Sequence, residues 1–228
     1  VFEFRDSYKV RPIEIFYFWY PGGSGDDQRV NKPAPTEYPI LPILAERWSP
    51  LAYSSRPVER EKLNSLFEAA RWAPSCLNEQ PWIFIVAFQG TPEFERMADC
   101  LVEGNSWAKS APVLVLAVAR TTFQRNGQPN RFGMYDTGMA VANLVAQSVA
   151  EGLVVHQMGG YDAAKARAAW SLPETQEPCA MMTIGYYGDR AALPENQRSR
   201  EEAPRMRKPQ GEFVVFGVRP TDSKSLED

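Results

Sequence analysis

Histidine is almost missing from this chain, with one residue in 228, and cysteine is scarce, with three. A lone imidazole, His156, leaves little for a zinc site and would have to serve every histidine mechanism by itself. No GxSxG elbow, HExxH helix, Walker sequence or glycine-rich loop after a strand is present, so a hydrolase is disfavoured. Cys76, Cys100 and Cys179 form an odd, widely spaced set with no CxxC pair. That usage suits a reducing cytoplasm better than a disulfide scaffold. Cys76 falls at a helix C-terminus, where the dipole does not favour a thiolate, and Cys100 and Cys179 sit within apolar patterns that read as core. Long apolar runs are lacking too. The longest, Ala111 to Ala119, is nine residues with a proline inside it, roughly half of the ~20 that a spanning helix requires. The start at Val1 lacks the basic-then-apolar pattern of a signal peptide. Excess positive charge is absent, with 25 basic against 28 acidic residues and a net charge of -3, which argues against nucleic acid or an anionic membrane as partner.

What is present is a chain with enough apolar residues, 44%, to bury a substantial core. Residues 1–44 read as an arm without periodicity. It carries FYFWY at 16–20, then the turn-rich PGGSGDD and the proline-studded NKPAPTEYPILP. Five consecutive rings must dock somewhere, on their own domain or on a second subunit. From Pro57 the spacing of Val58, Leu63, Leu66, Phe67 and Ala70 predicts a helix that Pro74 stops. WIFIVAF at 82–88 and VLVLAVA at 113–119 predict buried strands. Thr91 reads as an N-cap for a helix to about Val102. The polar stretch 120–132 is a surface loop and a candidate lid.

A nearly uncharged helix follows over Tyr135–Ala150, suited to a large core or a subunit interface. Leu153–His156 is a short strand, Asp162 caps a helix to about Trp170, and 179–187 is a further strand. A last strand is expected over Glu212–Gly217, and 218–228 is a tail. The pattern predicts one α+β domain over 45–217 whose sheet has helices on both faces.

Protein-only chemistry has few candidates, whereas groups able to hold an anionic, planar cofactor are plentiful. Arg205, Arg207 and Lys208 cluster beyond the last polar loop, and Arg47 precedes Ser49 at the head of the folded part. Guanidinium groups converging from two segments clamp a phosphate with both charge and donor geometry. A basic run facing solvent is the competing reading of each alone.

Three stretches carry a resemblance. ERWSPLAYSSRPVEREKLNSLFEAARWAPSCLNEQPWIFIV at 46–86, GLVVHQMGGYD at 152–162 and RMRKP at 205–209 resemble the nitroreductase family of FMN-dependent oxidoreductases over 45–217. The resemblance implies a central, mostly antiparallel sheet flanked by helices in an intertwined homodimer. It implies that Arg47 and Ser49, with the Trp48 main chain between them, hold the ribityl-phosphate end together with Arg205 and Arg207. By the same likeness Asn105 meets the isoalloxazine edge, and Asn78 and Gln80 lie near the ring and substrate. Gly159 and Gly160 present backbone N–H groups to flavin N5 and O4. Leu51 stands where an arginine is common, Cys76 where a second serine is, and Gln210–Gly211 where Leu–Glu is.

The activity implied is ping-pong reduction of nitroaromatics, quinones or related small electrophiles, with NAD(P)H as transient reductant and flavin N5 rather than a side chain carrying the hydride. Two alternatives stay open. One is a dehalogenase or ring-modifying enzyme on the same scaffold, and the other is a flavin-binding dimer without turnover.

Overall fold

A computed structural model describes residues 32–217. The FYFWY segment and the 218–228 tail lie outside the described residues. The chain order is α1 (Pro42–Glu46), α2 (Arg60–Arg71), β1 (Trp82–Phe88), α3 (Pro92–Ala98), β2 (Val113–Arg120), α4 (Gly133–Ala150), β3 (Val154–Met158), α5 (Ala163–Ala169), β4 (Gln176–Gly185) and α6 (Glu195–Glu202). The four strands form one sheet in the order β1-β2-β4-β3. Every pairing is antiparallel.

Strand β2 shows why the sheet is covered on both sides. Side chains alternate between the faces of a strand, and all seven residues from Val113 to Ala119 are buried. Val113, Val115 and Ala117 pack with Leu63, Leu66 and Ala70 of α2 and Ala140, Val141, Leu144 and Val145 of α4. Leu114, Leu116 and Val118 pack with Phe94, Met97 and Ala98 of α3, Trp107 and Ala166 of α5. A continuous apolar run is therefore what two covered faces demand.

The α3 helix begins as expected, with Thr91 Oγ1 accepting from the Phe94 N–H and Pro92 at its first position. It stops four residues short of Val102, because the following backbone turns to pair elsewhere. The Cys100 carbonyl accepts from Asp162 N–H at 2.7 Å, and Val102 N–H reaches the Gly160 carbonyl at 3.3 Å. Asp162 caps α5 through its carboxylate and Lys165 N–H at 2.8 Å. The α4 helix buries one stripe only. Met134, Tyr135, Gly138 and Ala142, at three- and four-residue spacings, form an exposed, uncharged face.

The strand expected over Glu212–Gly217 does not form. Gln210–Glu212 is a single 3-10 turn, and Phe213, Val215 and Phe216 are exposed. A strand needs a ladder partner for its backbone groups, and none of the described strands pairs with this segment.

Candidate functional site

The sequence-derived site residues fall into three groups. The first surrounds a basin of about 280 Å³ lined by Arg47, Trp48, Ser49, Arg205 and Arg207, together with Lys32, His156, Arg200 and Glu201. An adjoining, more apolar cavity of about 270 Å³ shares Lys32, Arg47 and Trp48 and extends to Val149 and Leu153–Val155. Within the basin Arg47 Nη1 donates to Ser49 Oγ at 3.2 Å. Burial and then the nearby charges of Arg205 and Arg207 lower the pKa of Arg47. Cations gathered this closely repel one another unless an anion joins them.

Arg205 uses its guanidinium differently from the expectation of a pure phosphate clamp. Its Nη1 donates to the carbonyls of Lys32 at 2.8 Å and Ala45 at 2.6 Å, and its Nη2 to the carbonyl of Arg47 at 2.6 Å. Arg207 is exposed and bonds the carbonyl of its neighbour Met206 at 2.7 Å. Lys208 points away to solvent, with Glu212 3.6 Å distant. Leu51, where the family likeness expects an arginine, buries its side chain beside Phe94 and Trp107.

The basin has a floor that the sequence did not reveal. Glu201 of α6 is 5% exposed. One of its oxygens accepts the backbone N–H groups of Leu51 and Ala52, and the other accepts the Tyr187 hydroxyl. The Tyr187 ring meets Trp48 at 5.6 Å between centroids. Lys32 donates to the Glu201 carbonyl and stands 4.9 Å over the Trp48 ring. Lys32 and Glu201 carried no motif.

The second group is a seam at the end of β3. Asn105 Nδ2 donates to the Gly160 carbonyl at 2.9 Å, and its Oδ1 accepts from Trp107 Nε1 at 3.3 Å. A Cβ on Gly160 would stand 2.5 Å from Asn105 Nδ2, whereas one on Gly159 would meet nothing within 4 Å. Gly160 therefore serves the packing, and Gly159 leaves the backbone open to a flat ligand.

His156 joins the seam to the basin. Its Nδ1 donates to the Pro50 carbonyl at 2.8 Å, which fixes the neutral tautomer with Nε2 unprotonated. Its ring lies 4.6 Å from that of Trp107. Burial lowers its pKa, the Pro50 contact opposes that, and Arg200 and Arg47 add to the lowering.

The third group, Asn78 and Gln80, is not brought to the other two. Among the described residues both sit exposed on the turn after α2, with bonds only inside that turn. Leu77, Asn78 and Gln80 have φ of 56°, 57° and 51°, a left-handed region that costs a Leu or Gln about 1 kcal/mol or more. The buried Asp136 of α4 helps hold the turn by accepting Cys76 N–H at 3.0 Å.

Fold and site together define an α+β protein in which an anion-attracting basin adjoins an open glycine backbone at one end of an antiparallel sheet. A model of the nitroreductase family matches residues 44–106 and 93–186, more than half of the chain, and the chain belongs to that family. It is similar to an uncharacterized 15.4 kDa protein of Mycolicibacterium smegmatis, 33% identical over 114 residues, which are 50% of this chain and 76% of the relative. It is also similar to a Bacillus subtilis protein named FMN reductase (NAD(P)H), 25% identical over 186 residues, covering 72% and 73% of the two chains. Among solved structures, an oxidoreductase containing FMN superposes with a TM-score of 0.76 at 32% identity, over 82% of this chain and 96% of that one. A nitroreductase family protein from Clostridium difficile 630 shares the fold, with a TM-score of 0.61 at 24% identity over 78% and 97%.

Among the described residues no helix is long and apolar enough to cross a membrane.

Proposed function

We propose that this chain binds FMN and is an oxidoreductase that uses NAD(P)H to reduce small aromatic or quinone-like electrophiles in a ping-pong cycle. The observation that carries this reading is the junction of the cationic basin, through His156 and Trp107, to the Asn105–Gly160 seam. One end suits a phosphate and the other a flat heterocycle. The names of the Bacillus relative and of the FMN-containing oxidoreductase support the same cofactor. When bound, FMN supplies the electron transfer that these side chains cannot.

The protein's part is to bind and orient. Arg47, Ser49 and Arg207 offer charge and donors to the phosphate end. The Gly159 backbone, open on its outer side, lets a ring approach closely, and Asn105 keeps that backbone in place. Preset N–H donors stabilise negative charge that grows on a reduced ligand without moving to do so. No side-chain general acid is required, in keeping with a chain that has one histidine, its Nδ1 engaged.

A homodimer is part of this reading. The uncharged outer stripe of α4 and the exposed Phe213, Val215 and Phe216 are surfaces that a second copy would cover. Asn78 and Gln80 would then act in the partner's site rather than their own. The three free cysteines suit a cytoplasmic setting.

The test is optical. Purified protein should carry a yellow flavin chromophore that is bleached by NADH or NADPH and restored by menadione or nitrofurazone. A colourless protein that does not take up FMN sinks the proposal, and a panel of acceptors with both reductants assigns the substrate class.

A further inference from the structure

Lys32 belongs to neither of the basic motifs and lies outside residues 44–186, the part matched by the family model. It nevertheless lines both the basin and the adjoining cavity. Its ammonium stands over the Trp48 ring, and of its three donors one goes, among the described residues, to the Glu201 carbonyl. Its position is not left to a loose loop. Arg205 grips the Lys32 carbonyl with the same nitrogen that grips Ala45, and with its other terminal nitrogen holds Arg47. One guanidinium therefore ties the segment that carries Lys32 to the segment that carries Arg47.

We infer that Lys32 is a ligand of the anionic end of whatever occupies the basin, a phosphate monoester, and that Arg205 is a positioning residue that sets Lys32 and Arg47 at the right separation. Both roles rest on the cofactor reading above. The division of labour follows from donor geometry. A planar guanidinium with fixed forks suits three backbone carbonyls in known places. A compact ammonium with rotatable donors on a flexible stem suits an oxyanion. Arg47 and Lys32 then face the anion as charges, while the fork of Arg205 is occupied by the main chain.

The experiment compares FMN with riboflavin, which has the same ring and no phosphate, on the full chain. Dissociation constants come from flavin fluorescence for wild type, Lys32→Met, Lys32→Arg and Arg205→Lys. For Lys32→Met the FMN constant should rise about tenfold or more while the riboflavin constant stays within about twofold. Lys32→Arg should restore most of the preference. Arg205→Lys keeps the charge but loses the fork, and should lose the preference as Lys32→Met does. An unchanged FMN constant in Lys32→Met, or equal weakening for FMN and riboflavin, overturns the assignment.

If wild type binds neither flavin, the cofactor reading fails and Lys32 is judged on inorganic phosphate instead. Phosphate should raise the melting temperature of wild type and not that of Lys32→Met. Equal shifts, or no shift in wild type, overturn the role. Lys32→Gln serves as the second variant should Lys32→Met not fold.

Discussion

The carboxylate of Glu201 accepts the backbone N–H of Ala52 at 2.8 Å across 149 residues of chain. The same carboxylate takes Leu51 N–H and the Tyr187 hydroxyl, so a buried anion forms the underside of the loop that carries Arg47 and Ser49. Glu201→Ala leaves two buried backbone donors, Leu51 and Ala52 N–H, and the half-buried Tyr187 hydroxyl without their partner, and unmet buried donors are costly. The expected loss is at least about 2 kcal/mol of stability. Glu201→Gln keeps an acceptor oxygen and should lose markedly less. Urea unfolding of the two variants measures the difference, and equal losses would mean that the charge, not the acceptor, matters.

Gly159 and Gly160 are neighbours with opposite expectations. An added methyl at Gly160 drives into the Asn105 amide and should cost roughly 1–3 kcal/mol with no ligand present. At Gly159 the methyl meets nothing in the protein, so Gly159→Ala should leave the melting temperature of the ligand-free chain unchanged and weaken FMN retention alone. A Gly159→Ala protein that holds FMN as wild type does would remove this glycine from the site.

His156 gives the fold a dependence on pH. Its native pKa lies below the ordinary 6.5, chiefly through burial, so between the two values the unfolded chain binds a proton that the folded chain does not. Stability is then complete above about pH 6.5 and declines as the pH drops below it toward the native value. Arg200 and Arg47 press the same way and Glu201 opposes them. Denaturant midpoints on either side of pH 6.5 should fall on the acid side for wild type. The curve should flatten for His156→Gln, and an equal slope in both would assign the effect to other groups.

Much of the fold is legible in short windows of sequence. WIFIVAF became β1 with the bounds read from it, but as an edge strand with only Ala87 fully buried rather than the buried strand expected, and the alternate residues of VLVLAVAR supply both core layers. Strand β2 is decided by burial that its segment cannot avoid. The α6 helix is different. ENQRSREE is polar throughout, and of its eight residues only Glu201 is buried, a fact set by segments about 150 residues away rather than by its neighbours. The same distinction divides the site. That Arg205 is a cation near Arg47 could be read from RMRKP, but not that its donors go to main-chain carbonyls. Lys32 lies in the proline-studded NKPAPTEYPILP, which carries no signal of anion binding. The segment 212–217 has the apolar content of a strand, but among the described residues it pairs with neither open edge of the sheet, β1 or β3, a matter of placement that sequence does not display.

The Arg205 staple joins Lys32 and Arg47 to a residue 158 positions after Arg47. A chain emerging from the ribosome delivers the arginine–x–serine loop early, and all four strands are complete by residue 185, yet the basin lacks both its floor and its staple until residue 205 has followed. Contacts so distant in sequence close late and slowly. The sheet can assemble first as a scaffold with no anion site, and a chain cut short before α6 would keep its core and lose its basin.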